Sequence, residues 1–175
     1  MKKKFPAWVM LMIFCLVAAT CLAVTNLLTR DTIADNAAKE SMQTRLALLP
    51  GSVSFEDMEN GVSVGKDADG NIVGYAAAGT AYGYGSNVES TLALYPDGTI
   101  AGVSVGGADF AETSGLGAKA REPEFQSQFA GKTAPVALKQ NGGEIDAISG
   151  ATYTSNAVVT GVNDAYVRIG EVAGF

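Results

Sequence analysis

Between Lys4 and Arg30 the chain carries no charged residue, and Phe5 to Leu28 is made of apolar and small side chains. About twenty such residues span the hydrocarbon core of a bilayer as a helix. A helix satisfies its own backbone polar groups there, where no water is available to do so. Lys2, Lys3 and Lys4 precede the run. By the positive-inside rule they hold the N-terminus in the cytoplasm and send everything after Leu28 to the other side. A cleaved signal peptide competes with this reading, with small residues at Ala18, Ala19 and Ala23. Cys21 invites a lipoprotein reading, but Ala18-Ala19-Thr20 ahead of it is a poor match. We expect the segment to be retained as a single-pass anchor in lipid, in the cell (inner) membrane.

The helix is expected to outrun the membrane. Ile33, Ala37, Met42, Leu46 and Leu49 continue a stripe, with Asp35, Lys39, Glu40 and Arg45 on other faces. Pro50-Gly51 ends it. The expected division is 1–29 for the cytoplasmic tip and membrane helix, 30–51 for a stalk, and 52–175 for an extracytoplasmic domain. Cys15 and Cys21 both lie in the apolar run, six residues apart on different helix faces, and are expected as buried thiols. No cysteine remains for a disulfide or an iron–sulfur cluster in the domain beyond.

Composition narrows what that domain can do. Lys2–Lys4 are the only charges before Arg30, so the remainder holds nine Lys+Arg against eighteen Asp+Glu, −9 where the whole chain is −6. An acidic domain is a poor partner for nucleic acid, whose phosphates need basic neutralisation. The chain contains no His, which removes the usual general base and the usual metal ligand. No metal site and no catalytic residue are expected.

After Glu59 the pattern becomes strands and tight turns. Val62–Val64 and Ile72–Ala78 flank the turn Asp67-Ala68-Asp69-Gly70, and Val88–Tyr95 and Ile100–Val105 flank Pro96-Asp97-Gly98. The Asp67/Asp69 pair resembles the start of a calcium loop, but Ala78 stands where its Glu is needed, which leaves a turn. Between the hairpins, Gly79-Thr80-Ala81-Tyr82-Gly83-Tyr84-Gly85-Ser86 reads two ways. It is a mobile glycine loop, or one whose tyrosines cover a flat ring. From Glu112 the chain turns helical through Pro123, Phe125 and Phe129 to Gly131-Lys132, and Val136–Leu138 and Gly142-Gly143 follow. Strands and helices in separate runs predict an α+β fold: a mixed, largely antiparallel sheet with packed helices.

Asp146-Ala147-Ile148-Ser149-Gly150-Ala151-Thr152-Tyr153-Thr154-Ser155 crowds hydroxyls and a carboxylate against a helix start. Val158, Val162, Ala165, Tyr166 and Ile169 set the apolar face of that helix. Thr154, Ser155 and Asn156 are candidate caps for its first N–H groups. A helix N-terminus also attracts phosphate, so the stretch reads either as a well-capped surface helix or as a loop for a phosphorylated ligand.

Asp146-x-x-Ser149-Gly150-Ala151-Thr152 resembles the Asp-x-x-(Ser/Thr)-Gly-Ala-Thr signature of proteins that carry covalent FMN. Glu112-Thr113-Ser114-Gly115-Leu116-Gly117 resembles the Glu-Thr-Pro-Gly-Leu-Gly flavin loop of the same proteins. Ser114 departs from the Pro, and Phe110 and Ala111 stand where a His often precedes. Over nearly its full length the chain resembles the G subunits of Rnf-type ion-translocating ferredoxin:NAD oxidoreductases, relatives of the C subunit of the sodium-pumping NADH:quinone oxidoreductase. The resemblance implies FMN esterified through its phosphate to Thr152 by a separate flavin transferase, which recognises Asp146, Ser149, Gly150 and Ala151. It implies a ring lying near Thr154, Glu112, Thr113, Leu116 and Gly117, and electrons relayed within a complex of membrane and peripheral subunits, with no catalysis by this chain alone. Three alternatives share parts of the pattern. They are a subunit of the sodium-translocating quinone reductase, a free-standing tethered extracellular flavoprotein, and a pilin-like structural protein. The pilin reading lacks a pre-pilin cleavage site, and Phe5-Pro6 opens the apolar run instead.

Overall fold

A computed structural model describes residues 6–174. Lys2–Lys4, on which the orientation reading rests, lie outside the described residues, as do Phe5 and the final Phe175. The chain forms two compact units, one ending at Glu40 and the other running from Ser41.

The charge-free run is helical, as its composition requires. It belongs to α1, Ala7–Leu48, whose 42 residues are about 63 Å long at 1.5 Å each. This helix is long and apolar enough to cross a membrane. Two of the hydroxyls within it are satisfied locally. Thr20 Oγ1 donates to the Leu16 carbonyl at 2.8 Å, and Thr29 Oγ1 to Thr25 at 2.9 Å. Among the described residues, Cys15 and Cys21 are free cysteines on the surface of α1.

In the second unit the last turns of α1 are part of the globular body. Arg45 Nη1 donates to Asp57 Oδ1 at 3.0 Å and to Ser63 Oγ at 2.7 Å, and Ser63 Oγ donates to the same Asp57 oxygen at 2.6 Å. Leu49 is fully buried, held over Gly65 and Gly74, which leave room for it by having no Cβ.

Five strands follow: β1 (Ser54–Asp57), β2 (Val62–Lys66), β3 (Ile72–Tyr82), β4 (Asn87–Leu94) and β5 (Ile100–Gly106). They pair in chain order, every pair antiparallel. The expected largely antiparallel sheet is formed. Among the described residues the parallel pairing is a single bridge, Leu138↔Ile145, and Val136–Leu138 is not a strand. Its backbone is occupied elsewhere: the Asn163 side chain bonds both the N–H and the carbonyl of Val136, at 2.9 Å each. β1, SFED, is a short edge strand ahead of the strands expected after Glu59. Both expected turns form. Asp67 Oδ1 accepts from the N–H of Asp69 and Asn71, at 2.9 and 2.8 Å, and Asp97 Oδ1 from that of Thr99 at 2.9 Å.

One face of the sheet is covered by α3, Thr152–Ala173. Val158, Val162, Ala165 and Ile169 are all buried, with Val62, Val88, Leu92, Leu94 and Val103 of the sheet in the same core. The closest approach is glycine on glycine. A Cβ on Gly79 would stand 1.9 Å from the Gly161 carbonyl oxygen, so β3 and α3 meet backbone to backbone. The helix expected through Phe129 is reduced to a 3₁₀ turn, Gly117–Arg121, and the short α2, Pro123–Gln126. Phe125 and Phe129 then pack edge to face, centroids 5.7 Å apart.

Candidate functional site

The turn that leads into α3 is built by its own residues. The Ala151 N–H donates to the Ile148 carbonyl at 2.9 Å, and Gly150, third of the four, takes φ +75°, which a type II turn reserves for glycine. The helix then starts at Thr152, with Ala151 at the N-cap position and no capping side chain.

The expectation that Thr154, Ser155 and Asn156 cap this helix is therefore corrected. All three lie inside its first turns, with their polar groups engaged elsewhere. Ser155 Oγ donates back to the Ala151 carbonyl and accepts from the Ile148 N–H, both at 2.9 Å. Thr154 Oγ1 donates to Glu112 Oε2 at 2.7 Å, and Asn156 Oδ1 accepts from Asn141 Nδ2 at 3.4 Å. The N–H groups of Thr152, Tyr153 and Thr154 find no acceptor among the described residues. An uncapped N-terminus of a helix this long presents those donors and the positive end of the dipole together. Thr152 is exposed at that point.

Glu112 joins the second motif to the first. Its Oε1 accepts from the backbone N–H of Tyr84, Gly85 and Ser86 at 3.1, 3.1 and 3.2 Å, and from Ser86 Oγ at 3.2 Å. Oε2 takes Thr154. Burial raises the pKa of this carboxyl, but the Thr154 hydroxyl and the Gly85 and Ser86 amides outweigh it and hold it below its ordinary value. Gly117 is the residue that allows this, since a Cβ there would come within 2.6 Å of Glu112 Oε2 and 2.7 Å of Thr154 Oγ1. Ser114, where a Pro was expected, leaves the loop closed: the N–H groups of Leu116 and Ala118 both reach the Thr113 carbonyl at 3.1 Å.

These elements enclose a cleft of about 450 Å³, lined by Glu112, Thr113, Leu116, Gly117, Gly150, Ala151, Thr152 and Thr154 together with Tyr84 and Tyr153. That volume falls in the range of roughly 300–1,000 Å³ usual for small-molecule sites. Eight residues singled out in the sequence are thus brought together. Asp146 and Ser149 are outside the lining. Asp146 Oδ2 pairs with Lys139 at 2.7 Å with both side chains more than half exposed, and its backbone is bracketed by Gln128. The lining role of Tyr153 was not read from the sequence, though it stands within the hydroxyl-rich stretch. That of Tyr84 had a signal in the Tyr82-Gly83-Tyr84-Gly85 loop. A larger cleft, about 630 Å³, lies among residues 130–145 and includes none of the sequence-predicted residues.

The residues present fit a phosphorylated cofactor: free amides and a hydroxyl at the helix start, and an apolar wall from Leu116 and two tyrosines beside them. The fold belongs to a known class. The family model described as FMN-binding domain matches residues 83–167, and that described as RnfG N-terminal region matches residues 9–48. The crystal structure of Shewanella oneidensis NqrC superposes with a TM-score of 0.52 at 21% identity, covering 70% of each chain. That of the C subunit of the Na(+)-translocating NADH-quinone reductase from Parabacteroides distasonis gives 0.50 at 26% identity, over 62% of this chain and 61% of that one. Similarity in sequence runs over most of the length. The chain is 33% identical to the G subunit of the Na(+)-translocating ferredoxin:NAD(+) oxidoreductase complex of Acetobacterium woodii, covering 93% of this chain and 89% of that protein. It is 35% identical to the G subunit of the ion-translocating oxidoreductase complex of Methanosarcina acetivorans, covering 85% of each. The chain belongs to the family of these G subunits, and its globular part contains an FMN-binding domain.

Proposed function

We propose that the protein is the electron-carrying flavoprotein subunit of a membrane-bound ion-translocating ferredoxin:NAD oxidoreductase, with FMN esterified through its phosphate to Thr152. One observation carries the attachment point. Thr152 is exposed as the first residue of α3, beside free backbone N–H groups, and lines the same cleft as the Glu112–Gly117 loop.

The chain's own residues account for binding and not for the joining reaction. A threonine hydroxyl needs a base beside it to act as a nucleophile. The chain has no His, and the one carboxylate in the cleft, Glu112, is committed to five hydrogen bonds. A separate flavin transferase therefore supplies the chemistry, with FAD as donor. The threonine oxygen takes the FMN phosphoryl group, AMP departs, and the hydroxyl proton is lost to the transferase or solvent. Asp146 and Ser149, exposed and outside the cleft, are placed for that enzyme to read along with Gly150 and Ala151. FMN supplies reversible one- and two-electron transfer. The α3 amides stabilise the remaining phosphate charge, Leu116 shields the cleft from water, and Glu112 keeps the two motifs together. α1 tethers the domain to lipid on the extracytoplasmic side, where it meets the other subunits of the complex. The tether keeps the cofactor from being lost there.

The test is to make the protein together with a flavin transferase. A denaturing gel band should fluoresce, and peptide mass spectrometry should place FMN minus water on Thr152. Thr152→Ala should abolish both and, because Thr152 caps nothing, change stability by no more than about 0.5 kcal/mol. Covalent flavin persisting in Thr152→Ala would end this reading.

A further inference from the structure

Tyr84 and Tyr153 are 71% and 72% exposed, their ring centroids 6.5 Å apart and their planes 49° from parallel. Large apolar surfaces left open together mark places where something docks, and these two rings line the cleft already described. We propose that they form an aromatic wall for the isoalloxazine ring of the cofactor, a role that rests on the flavin reading above.

Three observations support the pair as a built feature. First, each tyrosine comes from a different element, yet both reach the same wall of the cleft. Tyr153 follows the acceptor Thr152 on α3, and Tyr84 rides on the turn after β3. Second, the Tyr84 backbone is held: its N–H and those of Gly85 and Ser86 all donate to Glu112, whose other oxygen takes Thr154 on α3. One carboxylate therefore sets the spacing of both tyrosines. Third, the position of the turn admits no bulk, since a Cβ on Gly83 would approach Glu112 Oε1 to 2.6 Å.

The 49° tilt decides the kind of contact. Two rings so far from parallel do not clasp a flat plane between them. They present one angled wall, with Leu116, 43% exposed, as an apolar neighbour in the same cleft. Tyrosine suits such a wall because its ring stacks while its hydroxyl stays in water.

The chemistry of tyrosine supplies a readout that a structural role would not move. A tyrosine in contact with flavin quenches its emission by lending an electron to the excited ring and taking it back, with no net reaction. Phenylalanine has the same shape and is too hard to oxidise to do this. The flavin-loaded protein should therefore be weakly fluorescent in its native state. Tyr84→Phe and Tyr153→Phe should each lengthen the flavin emission lifetime, and the double variant should do so several-fold. Tyr82→Phe, equally exposed but outside the cleft lining, should leave the lifetime unchanged. Peptide mass spectrometry on the same samples shows whether FMN is on Thr152. With FMN present there and an unchanged lifetime in the double variant, the wall is wrong and the attachment stands. Equal recovery in Tyr82→Phe also overturns the assignment. FMN missing from the wild-type Thr152 overturns the underlying reading instead.

Discussion

At the scale of single residues, Glu112 has a second role that its position in a flavin-loop motif did not disclose. From the motif it was expected beside the ring. In the fold its carboxylate also closes the 83–86 turn and fastens it to α3 through Thr154. Hydrogen bonds to a charged acceptor are worth about 1.5–3 kcal/mol each at most, and neutral ones about half that. Glu112→Gln, which keeps the shape and places an amide NH₂ among N–H donors, should lower the unfolding free energy by about 1–3 kcal/mol at neutral pH, measured by urea titration. The pH dependence has a definite sign. The folded carboxyl titrates below its ordinary 4.5, so its stabilisation is complete above that value and is lost as pH falls through the folded-state pKa. The stability curves of wild type and Glu112→Gln should converge in acid. A gap that stays constant as the carboxyl is protonated in acid would show that the charge is not what matters.

At the scale of elements, the contact between α3 and β3 depends on the absence of two side chains. On Gly79 a methyl group would meet backbone, the Gly161 oxygen at 1.9 Å, whereas on Gly161 it would meet the Gly79 oxygen at 2.9 Å and Ser90 at 3.2 Å. Overpacking costs about 1–3 kcal/mol, and alanine in a helix regains about 1 kcal/mol over glycine. Gly79→Ala should therefore destabilise the domain clearly more than Gly161→Ala. The reverse order in denaturant midpoints would refute this packing account. The segment just after α1 is a second such contact. Leu49 is fully buried, over Gly65 and Gly74 of the sheet, and Leu49→Ala should cost about 2–5 kcal/mol. A loss near zero would show that the segment following α1 is not packed into the domain.

At the scale of the molecule, a charge-free run and an acidic domain share one chain. The orientation proposed from Lys2–Lys4 has a direct check. Asp97 lies exposed in the turn between β4 and β5. In a variant with Cys15 and Cys21 replaced, Asp97→Cys should react with a membrane-impermeant maleimide in intact cells. Labelling only after lysis would place the domain in the cytoplasm.

The features legible in the residues alone were local in origin. A charge-free run of this length has to be helical in a bilayer, whatever surrounds it. Asp67-Ala68-Asp69-Gly70 and Pro96-Asp97-Gly98 turn because their side chains bond their own backbone and their glycines accept positive φ. The apolar period from Val158 to Ile169 names the buried face of α3 before any partner is known. Two short motifs, Glu112–Gly117 and Asp146–Thr152, pointed to one cofactor only through their resemblance to those of a known family, although they stand far apart in the chain. Long-range packing settled what depends on which groups meet. Thr154 and Ser155 have the chemistry of caps, yet Glu112, far upstream, and the turn at Ile148 claim their hydroxyls, so the helix starts bare at Thr152. The strand SFED exists because β2 lies beside it, not because its own pattern calls for one. Tyr84 and Tyr153 line one cleft, and one carboxylate bridging the 83–86 turn and α3 helps bring them there, a long-range contact that no local pattern encodes.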